Sequence, residues 1–451
     1  PALDAMLARE MLPILEQIHD RVTADPNDIP GGIGHEPAQK TIIEIMPSHA
    51  WFSVRITGMT RIHTMAAATG PVIAMESPRE GPDFTVGPFD WPRVLQHEYT
   101  HTVTLSKTRN RIPHWFTEAT AVFCEDAPRD ERTWQLLARA FETDTLFDLT
   151  DINTAFVRPE KPTDRGQAYA QGHWMVQFIV DRWGAETPTR LMDRYAAGER
   201  ESSAFEAELG ISAETFMTDF KEWAAADLRR MGLLIPEDAP TIPEMLDAER
   251  REAANPDTIQ PDAEFINRWR EQYPAHTQLD QLALSLALSQ SGDAPRLTPN
   301  VLSAFTRLAD VLPFAEAPHR ALARHYLTSD DSDRLNAIPH LEFLDAREQN
   351  STTYAVALAE LHSAAGDHAA SLRYAERASR IDPFDADARE FAARVAIAAA
   401  LATDSQHRTA YFDSASRHIE ALTIIEPTVD KHVTRLERVR ALAGQPANQH
   451  N

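Results

Sequence analysis

Strand-forming sequence is confined to one short part of the chain, between residues 41 and 77. This part contains three runs rich in β-branched and aromatic residues, which predict three strands: TIIEIMPS, WFSVRITGM and PVIAMES. From there to about residue 232 the pattern is helical, with predicted helices over WPRVLQHEYTHTVTLSK, HWFTEATAVFCED and RGQAYAQGHWMVQFIVDRWG. Strands first and helices afterwards favour an α+β domain over residues 1–232.

The chain is too long for one ordinary hydrophobic core, because its 451 residues exceed the size at which chains usually divide into domains. Residues 233–276 are rich in proline and acidic residues, which is typical of a linker that can hold short helices. Beyond this linker the strand signals disappear. Residues 277–451 are therefore predicted to form an all-α domain.

One stretch of this second domain, ALAELHSAAGDHAASLRYAERASRIDP, resembles a tetratricopeptide repeat. The resemblance rests on Leu358 and Ala359, on Gly366-Asp367 at the turn, on Ala378, and on Pro383 at the end. Degenerate units precede it, one with Gly292-Asp293 at its turn, and a longer unit with an insertion, TDSQHRTAYFD, follows it. About four helix pairs are expected between residues 277 and 445, and an unrelated helical bundle is the alternative. Repeats of this kind imply a concave surface that binds a protein partner, the substrate or a second copy of the chain.

Charge and cysteine content exclude several classes of function. With 68 acidic and 44 basic residues the net charge is −24, which argues against nucleic acid as a partner. The single cysteine, Cys124, excludes an intrachain disulfide and a cysteine-rich zinc module, so any metal must be held by histidine and carboxylate groups. No apolar run is long enough to predict an integral membrane segment. The compartment stays open, with export slightly favoured and no signal peptide visible.

The predicted helix WPRVLQHEYTHTVTLSK carries two histidines four residues apart, so His97 and His101 lie on one face and can bind one metal ion. Glu98 lies one position along, beside the metal, where its carboxylate can take a proton from a bound water. The alternative is a buried helix in which two histidines only make hydrogen bonds.

A third ligand is needed, because catalytic zinc sites usually combine three protein ligands with one open position. Glu118, in RIPHWFTEATAVF, meets this requirement if the second helix returns antiparallel to the first. These segments resemble the gluzincin metallopeptidases of the peptidase MA-like group, in which His-Glu-x-x-His is followed by Pro-x-Trp-x-x-Glu-Gly-x-Ala. The matching positions are Pro113, Trp115, Glu118 and Ala121, whereas Ala119 replaces the glycine.

The resemblance implies an α+β zincin-type metallopeptidase domain, one Zn²⁺ per chain held by His97, His101 and Glu118, and a water activated by Glu98. It also places Tyr169, in a Tyr-Ala-Gln segment, in the wall of the active site, where its hydroxyl can stabilise the oxyanion. His173, one turn later, is the alternative donor.

Four further residues were considered for this site. Glu125, two helical turns after Glu118, is a candidate to orient a ligand histidine, with a solvated helix end as the alternative. Glu76, in AMES, resembles the amine-binding glutamate in the Gly-x-Met-Glu-Asn signature of aminopeptidases, although the glycine and asparagine are missing; a strand end whose backbone pairs with an extended peptide is the favoured alternative. His114 is expected on the helix surface, and Cys124 is expected to be a packing residue.

The function predicted from the sequence is zinc-dependent hydrolysis of peptide bonds, with a peptide or protein substrate bound extended along a strand edge near PVIAMES. The alternative is a catalytically inactive, metallopeptidase-like scaffold that binds partner proteins through its repeats. A hydrolase of a non-peptide amide or ester is a third reading.

Overall fold

The computed structural model describes residues 2–62, 64–84, 86–292, 296–403 and 407–444, and at residues 331 and 332 it describes the backbone alone. Its first part contains ten helices and three strands among the described residues. In chain order these are α1 (Ala2–Thr23), β1 (Ile42–Met46), α2 (His49–Thr57), β2 (Ala66–Thr69), β3 (Val72–Glu76), α3 (Trp91–Thr108), α4 (His114–Cys124), α5 (Glu131–Glu142), α6 (Asp151–Val157), α7 (Asp164–Trp183), α8 (Thr187–Ala197), α9 (Glu201–Glu208) and α10 (Ala213–Arg230).

The described strands form one sheet in the order β1-β3-β2. β1 runs parallel to β3, with Ile42 opposite Val72, and β2 runs antiparallel to β3, with Ala66 opposite Met75. β3 is therefore the central strand, and β2 is an edge strand that pairs with no further strand among the described residues. The strands predicted from TIIEIMPS and PVIAMES are confirmed as β1 and β3.

The strand predicted from WFSVRITGM is wrong, because this run forms α2. Ser48 caps the helix by accepting a hydrogen bond from the Trp51 amide, and Gly58 ends it in the left-handed conformation, with φ of 74°. Two good caps outweigh the strand preference of the residues between them. β2 was missed for the converse reason: its alanines have low strand preference, and pairing with β3 sets their conformation.

The second part of the described chain is helical throughout. Its elements are α11 (Ile242–Glu252), a 3₁₀ turn (Pro256–Thr258), α12 (Ala263–Gln272), α13 (Thr277–Ser291), α14 (Pro299–Val311), α15 (Glu316–Leu327), α16 (Asp331–Arg334), a 3₁₀ turn (Leu335–Ala337), α17 (Ile338–Asp345), α18 (Thr353–Ala364), α19 (His368–Ile381), α20 (Ala386–Ala402), α21 (Arg408–Ile425) and α22 (Lys431–Ala443). None of the described helices is both long and apolar enough to cross a membrane.

Sequential helices of this part pack in pairs, α13 with α14, α15 with α17, α18 with α19, and α20 with α21. The predicted turn between α18 and α19 is present: Gly366 has a positive φ of 77°, and Asp367 caps α19 by accepting from the Ala370 amide. Gly292 likewise follows α13, while Asp293 lies outside the described residues. The predicted insertion falls partly outside them, and α21 begins within it.

The hydrophobic core does not stop between the two parts. One cluster of buried side chains extends from α1 and the sheet through α10 and continues into α14 and α15, where it includes Phe305, Leu308 and Leu322. The intervening short helices have a small core of their own around Met245 and Phe265. Short helices within residues 233–276 agree with the sequence prediction, whereas the exact domain boundaries stay predictions.

The helices α4 and α7 cross at very short range. A Cβ atom built on Gly172 of α7 would lie only 3.1 Å from the Cβ atom of Ala119 on α4, and Ala119 is fully buried. The glycine that the gluzincin pattern has at residue 119 is thus replaced by a glycine on the facing helix.

We expect Gly172→Ala to lower the free energy of unfolding by about 1–3 kcal/mol, because two methyl groups cannot share this crossing without separating the helices. Gly166→Ala on the same helix is the matched control, since its new Cβ would meet Leu136 at an ordinary 3.9 Å. There the gain in helix preference should stabilise the protein by roughly 0.5–1 kcal/mol. Adding Ala119→Gly to Gly172→Ala should recover part of the loss, as measured by urea unfolding. Equal effects of both glycine substitutions would contradict this account.

Candidate metal centre

Two consecutive helices carry the candidate ligands. Asp90 caps α3 by accepting from the Arg93 amide, and Pro92 occupies the first turn. The helix ends at Arg109, which adopts the left-handed conformation, and the chain returns as α4 after Pro113. Packing of α3 against α4 brings Glu118 of α4 over the face of α3 that carries His97 and His101.

The three predicted ligands converge. The His97 and His101 Nε2 atoms are 3.2 Å apart, and the Glu118 Oε2 atom lies 3.5 Å from the former and 3.4 Å from the latter. Three ligands at the corners of a zinc tetrahedron with bonds of about 2.0 Å are about 3.3 Å apart. The spacing of the side chains therefore fits one small divalent ion.

Hydrogen bonds fix which nitrogen of His101 faces the cluster. The Thr104 hydroxyl donates its one proton to the His101 carbonyl oxygen, at 3.2 Å. In the 2.8 Å contact between the Thr104 and Thr117 hydroxyls, Thr117 must therefore be the donor. Thr117 then accepts the Nδ1–H of His101 at 2.9 Å. The lone pair of His101 is left on Nε2, which is the atom directed at Glu118.

A second set of contacts fixes His97. Its Nδ1 atom donates to Glu125 Oε1 at 2.8 Å, and Glu125 Oε2 accepts from Arg93 Nε. With its oxygen facing Arg93, the Gln349 amide accepts from both terminal nitrogens of Arg93, at 3.0 and 3.2 Å. The expected contact of Glu125 with a ligand histidine is present, and a residue of the second part of the chain supports it.

Glu118 is a buried carboxylate that the protein leaves incompletely paired. Its Oε1 atom accepts from His114 Nε2 at 3.1 Å, but the buried Oε2 atom has no well-formed hydrogen bond among the described residues. Burial raises the pKa of Glu118, yet the imidazoles of His101, His114 and His97 lower it more, so the group stays ionised. His114 is partly exposed as expected, and its contact with Glu118 was missed.

The electrostatics of His97 follow from its two carboxylate neighbours. Burial lowers the pKa of His97, but hydrogen bonds to Glu118 and Glu125 outweigh burial and raise the pKa to about 10. Without a bound metal the cluster therefore holds a proton on His97. Metal ligation requires neutral imidazole, so metal and proton compete for the same atom.

Glu98 is almost fully buried and lies beside the ligands rather than among them. Burial raises its pKa, while the charges of His97 and His101 and a hydrogen bond from the backbone of Ala68 oppose that rise. Ala68 belongs to the edge strand β2, so the strand and the candidate base are in direct contact.

Tyr169 and His173 have different surroundings, although both lie on α7. Tyr169 lines the cavity beside the ligands, with its ring centroid 6.3 Å from that of His97. Burial, then the charges of Glu118 and Glu98, raise the pKa of Tyr169, so its hydroxyl remains protonated. His173 packs against Phe123 and is not part of the cavity wall, so the structure does not place it as the alternative donor.

Glu76 also lies away from the ligands. Its carboxylate meets His49 Nδ1 at 3.1 Å, and His49 in turn contacts Ser53, so Glu76 joins α2 to the sheet. It does not line the cavity, and the prediction that it binds a substrate amine is not supported. Cys124 is buried and donates to the Gly31 carbonyl, as expected for a packing residue.

A cavity of about 820 Å³ opens onto the ligands. One wall is formed by residues 64–68, which include the edge strand β2, and the opposite wall by α4 and Tyr169. Arg93 and Gln349 close one side. The motif could not indicate Gln349, because this residue lies far along the sequence, in the helical second part of the chain, and its neighbours carry no signal for the site. The hydrogen bond from His101 to Thr117 was not predicted either, because a threonine on a helix seldom indicates a partner of a metal-binding histidine.

A family model, the Peptidase MA superfamily, matches residues 85–226. This range contains α3, α4 and α7, and hence all five predicted site residues. The match supports a metallopeptidase-like domain in this part of the chain. The comparison with curated proteins finds no match.

The raised pKa of His97 has a measurable consequence for stability. A histidine titrates near pH 6.5 in the unfolded chain and near pH 10 here, so its contribution is complete below pH 6.5 and is lost as pH rises towards 10. In chelator-treated protein we expect the free energy of unfolding to fall by about 1 kcal/mol per pH unit between pH 7 and 8.5. His97→Gln should remove this slope in urea titrations. Parallel pH profiles of the two proteins would contradict the assignment.

Proposed function

We propose that the chain is a zinc-dependent metallopeptidase whose zinc is held by His97, His101 and Glu118. The observation that carries this proposal is the convergence of two imidazole nitrogens and the buried, incompletely paired Glu118 Oε2 atom on one point. A buried ionised oxygen whose nearest partners are two imidazole nitrogens at 3.4 and 3.5 Å is incompletely compensated, and a cation at that point would supply the missing charge. Two nitrogens and one carboxylate oxygen are ligands that suit zinc.

Bound zinc would supply Lewis-acid chemistry at the scissile carbonyl and lower the pKa of water. The protein's own contribution begins with the donors behind the ligands. Glu125 and Thr117 accept hydrogen bonds from the Nδ1–H groups of His97 and His101. These bonds fix both ring orientations, so that each neutral ring directs its Nε2 lone pair at the proposed zinc position.

Glu98 is the proposed general base. Its carboxylate takes a proton from the attacking water and delivers that proton to the leaving amine. Burial raises its pKa, which makes the carboxylate a stronger proton acceptor than an exposed glutamate. The Ala68 amide keeps the carboxylate in place beside the ligands.

Tyr169 is the proposed oxyanion donor. Its raised pKa keeps the hydroxyl protonated at neutral pH, so it can donate to an oxygen that gains negative charge. In the structure without substrate this hydroxyl interacts with Glu118, which a substrate carbonyl would replace as acceptor.

The proposed substrate is a peptide or protein bound in an extended conformation along β2. The sequence indicated an edge near PVIAMES, but that run is β3, which pairs on both sides and has no free edge. β2 is the edge strand, lines the cavity and contacts Glu98 through the Ala68 backbone. Hydrogen bonds between such an edge and the main chain of a peptide favour extended peptides, largely independently of the side chains that the peptide carries.

The proposed organisation keeps the metallopeptidase domain at residues 1–232, the linker at 233–276 and the tetratricopeptide-like repeats at 277–451. Gln349 gives the repeat domain a part in the site, because its side chain supports Arg93 and reaches the cavity wall. The repeats are proposed to bind a protein partner or the substrate on their concave side.

Zinc content tests the proposal directly. We expect about one zinc per chain by elemental analysis, with loss of zinc in Glu118→Ala. Glu98→Gln should keep its zinc while peptide hydrolysis falls by about a hundredfold or more, since only the proton transfer is removed. A native protein that stays metal-free when zinc is supplied would overturn the proposal. Normal zinc content without any hydrolysis would favour the inactive scaffold instead.

The role of Glu125 gives a second test. We expect Glu125→Gln to weaken zinc binding by about 10- to 100-fold, because the amide cannot hold His97 or balance Arg93 as the carboxylate does. Asp126→Asn is the matched control, as it neutralises the next residue in the chain, whose side chain is 70% exposed. Competition with a chelator of known affinity measures both. Equal affinities of the two variants would exclude Glu125 from the site.

A further inference from the structure

A second cavity, of about 510 Å³, lies between α1 and the repeat helices α19, α20 and α21. We propose that this cavity, called here the α1–repeat cavity, binds a monocarboxylate that carries an apolar chain. None of its lining residues belongs to the candidate metal centre. Its volume lies within the range of small-molecule sites.

Arg389 lines the cavity, and all its N–H groups are engaged in hydrogen bonds within the protein. Its Nε and Nη2 atoms donate to the Pro383 carbonyl, Nη1 and Nη2 donate to the two oxygens of Glu10 at 2.8 and 2.6 Å, and Nη1 also donates to His418 Nδ1. The guanidinium has five N–H groups, and these contacts use all five. Arg389 is 2% exposed, so it joins α1 to the repeats and is not itself available to a ligand.

His418 is oriented by this arrangement. Because arginine only donates, His418 Nδ1 must accept, at 3.3 Å, and the proton of the neutral ring is on Nε2. Burial and the charges of Arg389, Arg417 and Arg380 lower the pKa of His418, which keeps the ring neutral. Its Nε2–H is buried and has no acceptor among the described residues.

Trp91 presents a second donor without an acceptor. Its side chain lines the α1–repeat cavity, is 1% exposed, and carries an indole N–H with no partner in the described part of the chain. Buried N–H groups are nearly always paired, and each unpaired one costs about 1–3 kcal/mol. Two such groups around one cavity indicate a ligand that brings acceptors.

The charges around the cavity agree with an anionic ligand. Arg9, Arg380 and Arg417 line it, and the carboxylates that line it already have cationic partners. Glu10 accepts from Arg389, Glu420 pairs with Arg440, and Glu376 is shared by Arg380, at 3.6 Å, and Arg417, at 3.4 Å. Donors therefore exceed acceptors, in a chain whose net charge is −24. A carboxylate supplies two acceptor oxygens and one negative charge.

The remaining wall is apolar and consists of Met6, Pro13, Ile14, Ala421 and Ile424. A ligand with a carboxylate at one end and a hydrocarbon portion at the other matches both walls. Two sources share this chemistry, a fatty acid and the C-terminal end of an apolar peptide.

Calorimetric titration of the full chain tests the proposal with four probes. These are octanoate and 1-octanol, and the peptide acetyl-Ala-Ala-Leu as the free acid and as the amide. We expect at least one acid to bind about tenfold or more tightly than its neutral counterpart, because the charge-assisted hydrogen bonds require the carboxylate. Octanoate binding alone would identify a fatty acid, and binding of the peptide acid alone would identify a peptide end.

The location is tested by replacing Arg380 and Arg417 with glutamine. Their side chains are 44% and 59% exposed, so the double variant should fold normally while acid binding weakens by about tenfold. The matched control replaces Arg394 and Arg438, which lie on α20 and α22 outside the cavity. Equal binding of acid and neutral probes, no binding of either acid, or equal losses in both double variants would each overturn the proposal.

Discussion

The burial of two carboxylates, Glu118 in the middle of α4 and Glu125 at its C-terminal cap, is the constraint on which the rest of the site depends. Each loses hydration and must find positive or hydrogen-bonding partners within the fold. Glu125 finds Arg93 and His97. Glu118 finds imidazole groups but keeps one oxygen incompletely paired. The same histidine therefore neutralises both carboxylates when metal is absent, and a metal ion would take over that task at Glu118 alone.

Contacts that hold α3 in place also come from residues outside the range 85–226 that the family model matches. Arg377 of α19 meets Asp90, the residue that caps α3, at 2.6 Å, and the Asp90 amide donates to the Gln349 carbonyl at 2.7 Å. Arg377 is anchored in turn by Asp345. The first turn of the histidine-bearing helix is thus held by the helical second part of the chain, and Arg389 holds α1 in the same way through Glu10.

The sequence was sufficient for the local part of the site. The i and i+4 histidines need only helical geometry, and the step from α3 to Glu118 needs only a short antiparallel return, so both were predictable from spacing. Contacts that depend on tertiary packing could not be predicted from the sequence. Gln349 reaches the site from a distant loop, α2 formed against the strand preference of its residues because Ser48 and Gly58 cap it, and β2 exists because β3 lies beside it. His173 lies one turn after Tyr169, as predicted, but it packs against Phe123 instead of lining the cavity, which only tertiary packing determines.

Ala119 shows how a departure from a family pattern can leave a site intact. A glycine there would allow a neighbouring helix to approach closely, and the loss of that glycine would normally push the helices apart. In this chain Gly172 supplies the missing space from the opposite side, at a 3.1 Å approach that only one methyl group can occupy. The spacing at the crossing of α4 and α7 depends on the combined width of residues 119 and 172, and here one of the two is glycine. A pattern that reads α4 alone cannot detect this exchange, because the compensating residue belongs to α7.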